Sequence, residues 1–256
     1  MNVRYELKDA VAIVTLDRPD KLNALTVEMR EALGTSFEQA ARDPAVRAVL
    51  LQSSGKAFCA SGDVSKMGNF TAASGRDLLK LAHRMVRNLA NIEKPVVAAV
   101  RGAVAGIGWS MALASDLIIA SETAKFSQVF RNVGLVPDGG SIYFLTQQLG
   151  LFRAKELVYS GRRVEASEAL SLGLVHRVVP DAELDAIAWQ QAQELARGPT
   201  FALGAAKKMF KLMYQPDLET FLDAEAWAQG LALLTDDHKE GVQAFFDKRK
   251  PEFKGS

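Results

Sequence analysis

Four glycine-bearing segments hold the chemistry this sequence can perform. They are Phe58-Cys59-Ala60-Ser61-Gly62-Asp63, Gly102-Ala103-Val104-Ala105-Gly106-Ile107-Gly108, Gly134-Leu135-Val136-Pro137-Asp138-Gly139-Gly140 and Ser171-Leu172-Gly173-Leu174-Val175. A glycine-rich turn that opens a helix leaves backbone N–H groups unpaired and adds the positive end of the helix dipole. Two such turns facing each other can bind an oxygen that gains negative charge during a reaction. Taken singly, each segment reads more plainly as a tight turn that uses glycine for positive φ and close packing. The second segment is no dinucleotide fingerprint, because no following strand offers an acidic ribose ligand. No metal-ligand cluster is evident, and nothing points to a flavin or a nicotinamide.

The elements that would position these turns follow from the apolar pattern. Val11–Leu16 and Val46–Gln52 are β-branched runs of strand type, and the alternating N-terminal segment also reads as a strand rather than a secretion signal. Between those runs, Met29, Leu33, Phe37 and Ala40 recur at helical spacing behind Thr26, which predicts a capped helix over Thr26–Arg42. Asp77–Ile92 reads as a helix, Pro95–Val100 as a strand, Gly102–Leu113 as a turn running into a helix, and Asp116–Ala120 as a strand. That alternation implies an α/β layout with crossover connections. After Asp181 the pattern is helical only, over Ala182–Ala196, Phe201–Met213, Leu218–Leu234 and Asp237–Lys248. A boundary is placed near residue 198, at the Gly-Pro of RGPT, which divides the chain into residues 1–197 and 198–256. No internal repeat or low-complexity segment is apparent.

Composition narrows the class. The 256 residues are 48% hydrophobic and 24% charged, enough for a substantial core. The net charge of +1 argues against nucleic-acid or anionic-membrane partners, which require a positive field. With Cys59 as the single cysteine, no intramolecular disulfide can form, which fits a cytoplasmic protein. The longest apolar stretch, Pro95–Met111, contains Arg101 and many small residues and does not suit a membrane span.

In order and spacing, the motifs resemble those of the crotonase (enoyl-CoA hydratase/isomerase) superfamily. The resemblance runs from Arg18-Pro19-Asp20-Lys21-Leu22-Asn23-Ala24-Leu25 through FCASGD, KPVVAAVRGAVAGIG, SDLIIASETAKFSQ, GLVPDGG and SGRRVEASEALSLGLVHRVVP to the C-terminal DDHKEGVQAFFDKRKPEF. It implies a spiral of β-β-α units that carries the CoA and active sites in residues 1–197. It also implies a helical C-terminal oligomerisation region, 198–256, that builds a homotrimer or a dimer of trimers. The substrate would be an acyl-CoA, with no cofactor beyond its CoA moiety. Two backbone N–H groups would form the oxyanion hole, those of Gly62 and Ile107. The latter departs from the family's usual glycine.

The resemblance also bears on the reaction. The two positions matching the glutamates of family hydratases are Ser110 and Phe130, and neither side chain can act as acid or base near neutral pH. A different carboxylate, Asp138, stands where several double-bond isomerases carry theirs. The surrounding sequence looks most like the branch of phenylacetyl-CoA-pathway ring-epoxide isomerases and enoyl-CoA isomerases. Without the resemblance, Asp138 after a proline would read as an ordinary turn residue. His83 matches the catalytic histidine of dehalogenase-like relatives, although Phe130 replaces their tryptophan; the plainer reading of His83 is packing or capping. His176 and His238 have no such context. Lys21, Asn23, Ala24 and Leu25, with Phe58 and Ala60, would line the CoA groove. Lys250 and Lys254 would offer charge to the 3′-phosphate, in their own or a neighbouring subunit, or simply form a solvated basic tail. The leading expectation is an enoyl-CoA isomerase that uses Asp138. The alternatives are a hydratase with nonstandard residues, a dehalogenase-like hydrolase and a catalytically silent acyl-CoA-binding protein. The acyl group would be set by the stretch Val64–Leu79 and the C-terminal helices.

Overall fold

The computed structural model describes residues 2–66, 71–212 and 217–256. Strands β1 (Val3–Lys8) and β2 (Val11–Leu16) form an antiparallel hairpin. The two residues of its turn, Asp9 and Ala10, both have positive φ, the geometry that matches the strands' twist. Four further strands then add in parallel: β3 (Ala48–Ser53), β4 (Val96–Val100), β6 (Leu117–Ser121) and β9 (Arg177–Val179). The six-stranded sheet runs β1-β2-β3-β4-β6-β9. Its central strands are buried on both faces, which is why they read in sequence as nearly continuous apolar runs.

One face is covered by helices α1 (Val27–Arg42) and α2 (Ala72–Asn91) together with the short, wholly buried α3 (Ile107–Leu113). On the other face lies α6 (Leu184–Ala196), which sets Leu184, Ala188, Ala192 and Ala196 against Val11, Ala48, Leu50, Val97 and Ile119. A smaller sheet of β5 (Ala103–Ala105), β7 (Lys125–Ser127) and β8 (Arg163–Glu165) stands beside the first. Cys59 extends it by bridging Val104. A strand–strand–helix unit therefore recurs: β3, the Cys59 segment and α2; β4, β5 and α3; β6, β7 and α4 (Ser141–Ser160). The repeat lies in backbone geometry, which is why no residue-level repeat is visible.

Several expectations need adjustment. Gly102–Leu113, expected as a turn running into a helix, contains β5 before α3 begins. The helix expected from Asp77 starts at Ala72, because Thr71 and Ser74 form a reciprocal capping box. Helix α4 has no counterpart in the sequence reading. It is kinked at Gly150 (φ 73°, ψ 169°), so its apolar residues never settle on a single stripe. Short α5 (Ala166–Ser171) precedes β9.

Three further helices, α7 (Thr200–Leu212), α8 (Leu218–Ala232) and α9 (Asp236–Asp247), follow closely the spans expected for them. Met213, expected to end one of them, lies outside the described residues. Among the described residues no helix is long and apolar enough to cross a membrane. The chain end is tied down. Buried Asp237 accepts from the N–H groups of Lys254 (2.6 Å) and Gly255 (2.8 Å), and Arg47 donates to the Phe253 carbonyl (2.8 Å). Hydrogen bonds to a charged group contribute about 1.5–3 kcal/mol. Asp237→Ala is therefore expected to cost roughly 2 kcal/mol and to expose the last residues to carboxypeptidase. Thermal denaturation and timed digestion would measure both.

Candidate active site

The segment that leads into α1 is stitched to the FCASGD loop. Leu25 N–H donates to the Ser61 carbonyl (2.9 Å), and Asp63 N–H donates to the Leu25 carbonyl (3.0 Å). Both partners flank Gly62, whose own N–H has no acceptor among the described residues. Ser61 sits at φ 91°, a strained value for a non-glycine residue. Its neighbour Asp63 is held by Ser65 and by an ion pair with Arg18 (2.7 Å), which bring its carboxyl down to about 2. Asp63 is thus a charged anchor of this loop and not a proton donor near neutral pH.

Gly106 and Ile107 meet this loop directly. Gly106 (φ 50°, ψ −123°) is the N-cap of α3, and a Cβ there would stand 2.2 Å from Ser61 Oγ. A Cβ on Gly108 would stand 2.6 Å from Cys59 Cβ. Only glycine permits this contact between the two turns. Ile107 is the first residue of α3, where an N–H has no intrahelical partner, and none is supplied elsewhere among the described residues. The two amides expected to form an oxyanion hole are therefore both free, on turns in van der Waals contact. The isoleucine side chain is 1% exposed and packs against Gly139. It supports the neighbouring turn.

That turn carries Asp138. Its backbone carbonyl accepts from the Ser141 hydroxyl (2.8 Å), and the Ser110 hydroxyl, 3.1 Å from the same carbonyl oxygen, lies 2.6 Å from Ser141 Oγ, to which it can donate. Ser110, which stands where family hydratases have a glutamate, here fixes the aspartate's main chain. Phe130, at the second such position, is buried with its ring edge against Gly106. Asp138 is half-buried, and its Oδ1, itself buried, has no hydrogen-bond partner among the described residues. Burial raises its pKa above the ordinary carboxylate value; nearby Arg30 and His83 act in the other direction. His83, on α2, is solvent-accessible in the protomer and lies within electrostatic reach of Asp138.

Arg30 was not foreseen. It is buried on α1 beside Leu33, Gly34 and Phe37, so it occupies the helix's apolar stripe. That misplacement of a charge was the signal in the sequence. Cys59 is fully buried, and burial pushes its thiol up to about 12, which leaves it inert.

The Lys21–Leu25 and Phe58–Ala60 segments lie together, with Ala60 N–H donating to the Leu22 carbonyl (3.0 Å). Lys21 is exposed, Ala24 and Ala60 are half-buried, and Leu25 and Phe58 are buried. The Asn23 side chain is fully used within the protein. It donates to the carbonyls of Ser54 (2.9 Å) and Ala57 (2.8 Å) and accepts from Arg18 N–H (2.7 Å). Lys250 and Lys254 are exposed. Arg47, just before β3, grips the tail at Phe253, whereas the Ser54–Ala57 loop follows the far end of that strand. Six residues of strand span about 20 Å. In one protomer, then, Lys254 is separated from this groove by the length of β3. Residues 67–70 of the Val64–Leu79 stretch lie outside the described residues.

A six-stranded sheet with a smaller sheet beside it, and free amides on two glycine-bearing turns, define the crotonase class of protein. The family of enoyl-CoA hydratases/isomerases matches residues 6–256, and the chain belongs to it. It is 37% identical to the 1,2-epoxyphenylacetyl-CoA isomerase of Escherichia coli over 97% of both chains. It is 34% identical to the short-chain-enoyl-CoA hydratase of Clostridium acetobutylicum, over 98% of this chain and 97% of that one. The crystal structure of an enoyl-CoA hydratase from Bacillus anthracis superposes with a TM-score of 0.95 at 32% identity and covers both chains completely. Isomerases and hydratases are thus found at comparable distances. The reaction must be argued from the site.

Proposed function

We propose that this protein is an enoyl-CoA isomerase with Asp138 as its single acid/base. The observation that carries the reading is the Asp138 carboxyl, whose buried Oδ1 has no hydrogen-bond partner among the described residues, on the turn packed against Ile107. Ser110 and Phe130 offer no second carboxylate. A 1,3-proton shift needs only one. Asp138 takes a proton from C2 of a 3-enoyl thioester, the dienolate is held at its thioester oxygen by the Gly62 and Ile107 amides, and the proton returns to C4 on the same face. The side chain's raised proton affinity suits a base that must also give its proton back.

Incubation with a 3-enoyl-CoA in D2O is the test. Conversion to the 2-enoyl isomer with deuterium at C2 or C4 is expected; product that is solely the 3-hydroxyacyl thioester would overturn the reading. A dehalogenase-like hydrolase is a second reading, favoured by His83 lying within electrostatic reach of Asp138. His83→Ala is expected to leave isomerisation within a few-fold of wild type. Near-complete loss with ligand binding intact would instead favour the hydrolase.

The protein is also proposed to be a homotrimer or a dimer of trimers. On α8, Trp227 (77%) and Leu231 (54%) are exposed in the protomer, as is Leu234 (73%) just beyond it, so this stripe does not cover the chain's own core. Residues Phe201, Phe245, Phe246 and Phe253 line an open apolar cleft of about 540 Å³ alongside. Exposed apolar area of this kind marks an association surface. Light scattering at micromolar concentration is expected to give a mass of three or six chains, and a monomer would exclude this assembly. Lys254 would then reach only a neighbour's CoA groove. A cytoplasmic location fits the single buried cysteine.

A further inference from the structure

Arg30 does nothing in the protomer that a buried arginine ordinarily does. The residue is 3% exposed, yet Nε and Nη1 have no hydrogen-bond partner among the described residues. It forms no ion pair among the described residues, although Asp138 and Cys59 both lie within electrostatic reach. Buried charges in folded proteins are paired, because removing one from water uncompensated is very costly. A structural role would need neither the charge nor the open nitrogens, since methionine would fill the same volume.

Its position is well determined. Arg30 lies one turn beyond Leu25, whose backbone is bonded on both sides of Gly62, and its own N–H donates to Thr26 (3.2 Å). Both Cys59, on the loop that leads to Gly62, and Asp138 lie within electrostatic reach of the guanidinium, and these are the two segments proposed to frame the acyl site. Guanidinium nitrogens only donate, so the missing partner is an acceptor. Asp138 Oδ1 is an acceptor that also lacks a partner, and the two do not meet. With Asp138 ionised, the pair is already balanced in charge. A substrate carboxylate would add an unbalanced negative charge beside the base, whereas an uncharged oxygen would not.

We infer that Arg30 is a substrate-binding residue, whose open N–H groups receive an uncharged oxygen carried by the acyl chain beyond the thioester. The inference rests on the acyl-CoA isomerase reading and gives that site its substrate class: oxygen-bearing acyl chains in preference to plain hydrocarbon ones. A hydrocarbon chain seated there would leave Arg30 buried and unpaired. A site built to bond an oxygen rejects the analogue that lacks it.

The test is equilibrium binding by titration calorimetry, independent of turnover, with heptanoyl-CoA and its 4-oxo, 5-oxo and 6-oxo derivatives. At least one oxo derivative is expected to bind wild type on the order of tenfold more tightly than heptanoyl-CoA, and Arg30→Met is expected to abolish that preference. Equal binding of all four by wild type, a comparison that needs no variant to fold, would overturn the inference and leave the isomerase reading standing. A preference that survives in a folded Arg30→Met protein would also overturn it. Failure of every thioester to bind would overturn the acyl-CoA reading and this inference together.

Discussion

Asp138→Asn is expected to lower the isomerisation rate by about 10²–10⁴-fold, the usual contribution of a positioned acid/base, while CoA-thioester affinity stays near that of wild type. The amide has the same shape and cannot take up a proton at useful pH. The turn should keep its conformation, because it is held by the main-chain carbonyl of Asp138 through Ser110 and Ser141, not by the side chain. Stability should not fall. Burial raises the carboxyl's pKa above its ordinary value of 3.8, so the folded state favours the protonated form. The sign follows: the ionised side chain costs folding free energy as pH rises through the folded value, and the amide is spared that cost. The same direction governs activity. The base works only when ionised, so the acid limb of kcat/KM should lie above the ordinary aspartate range and vanish in the Asn variant. Losing Arg30's charge should move that limb further upward, since the guanidinium is the larger of the two influences opposing protonation. A fully active Asp138→Asn enzyme would refute this mechanism.

How much of this was legible in the sequence depended on the physical range of each signal. The helix over Thr26–Arg42 and the strand at Val11–Leu16 were readable because each carries its whole apolar period locally, and Thr26 does cap its helix. Strands β5, β7, β8 and β9 have three residues each, too few for any period to register; their pairing is set by distant segments. Helix α4 was hidden by the Gly150 kink, which rotates its two halves and blurs the stripe. At the site, the glycine turns announced themselves because Gly106 and Gly108 answer steric demands that no other residue meets. That Asn23 would spend its side chain within the protein, and Ser110 would brace a loop, required knowing which loops touch. Arg30 was the legible feature passed over: a charge on an apolar helical stripe is a local violation, and such violations concentrate at functional sites.

Removing one oxyanion donor should be as damaging as it is clean, and Ile107→Pro is the variant that does it. Proline has no N–H, and the first position of a helix is where that lack costs the fold least, since the group has no intrahelical partner. Its fixed φ near −65° is already helical. The residue before it, Gly106, has no Cβ to clash with the proline ring. Ile107→Val is the control: it keeps the amide and the β-branch and trims one methylene from the contact with Gly139, at a cost of about 0.5–1.5 kcal/mol. Loss of a single oxyanion donor costs about 10²–10³ in kcat. The proline variant is therefore expected to fall by that factor while the valine variant stays within a few-fold of wild type, each melting as one cooperative transition. The pair also separates the two roles proposed for one residue, the amide as a donor to the thioester oxygen and the side chain as support for the Asp138 turn. Equal losses in both variants would mean that support of Asp138, and not the Ile107 amide, limits the reaction. An Ile107→Pro enzyme with unchanged kcat would remove that amide from the oxyanion hole altogether.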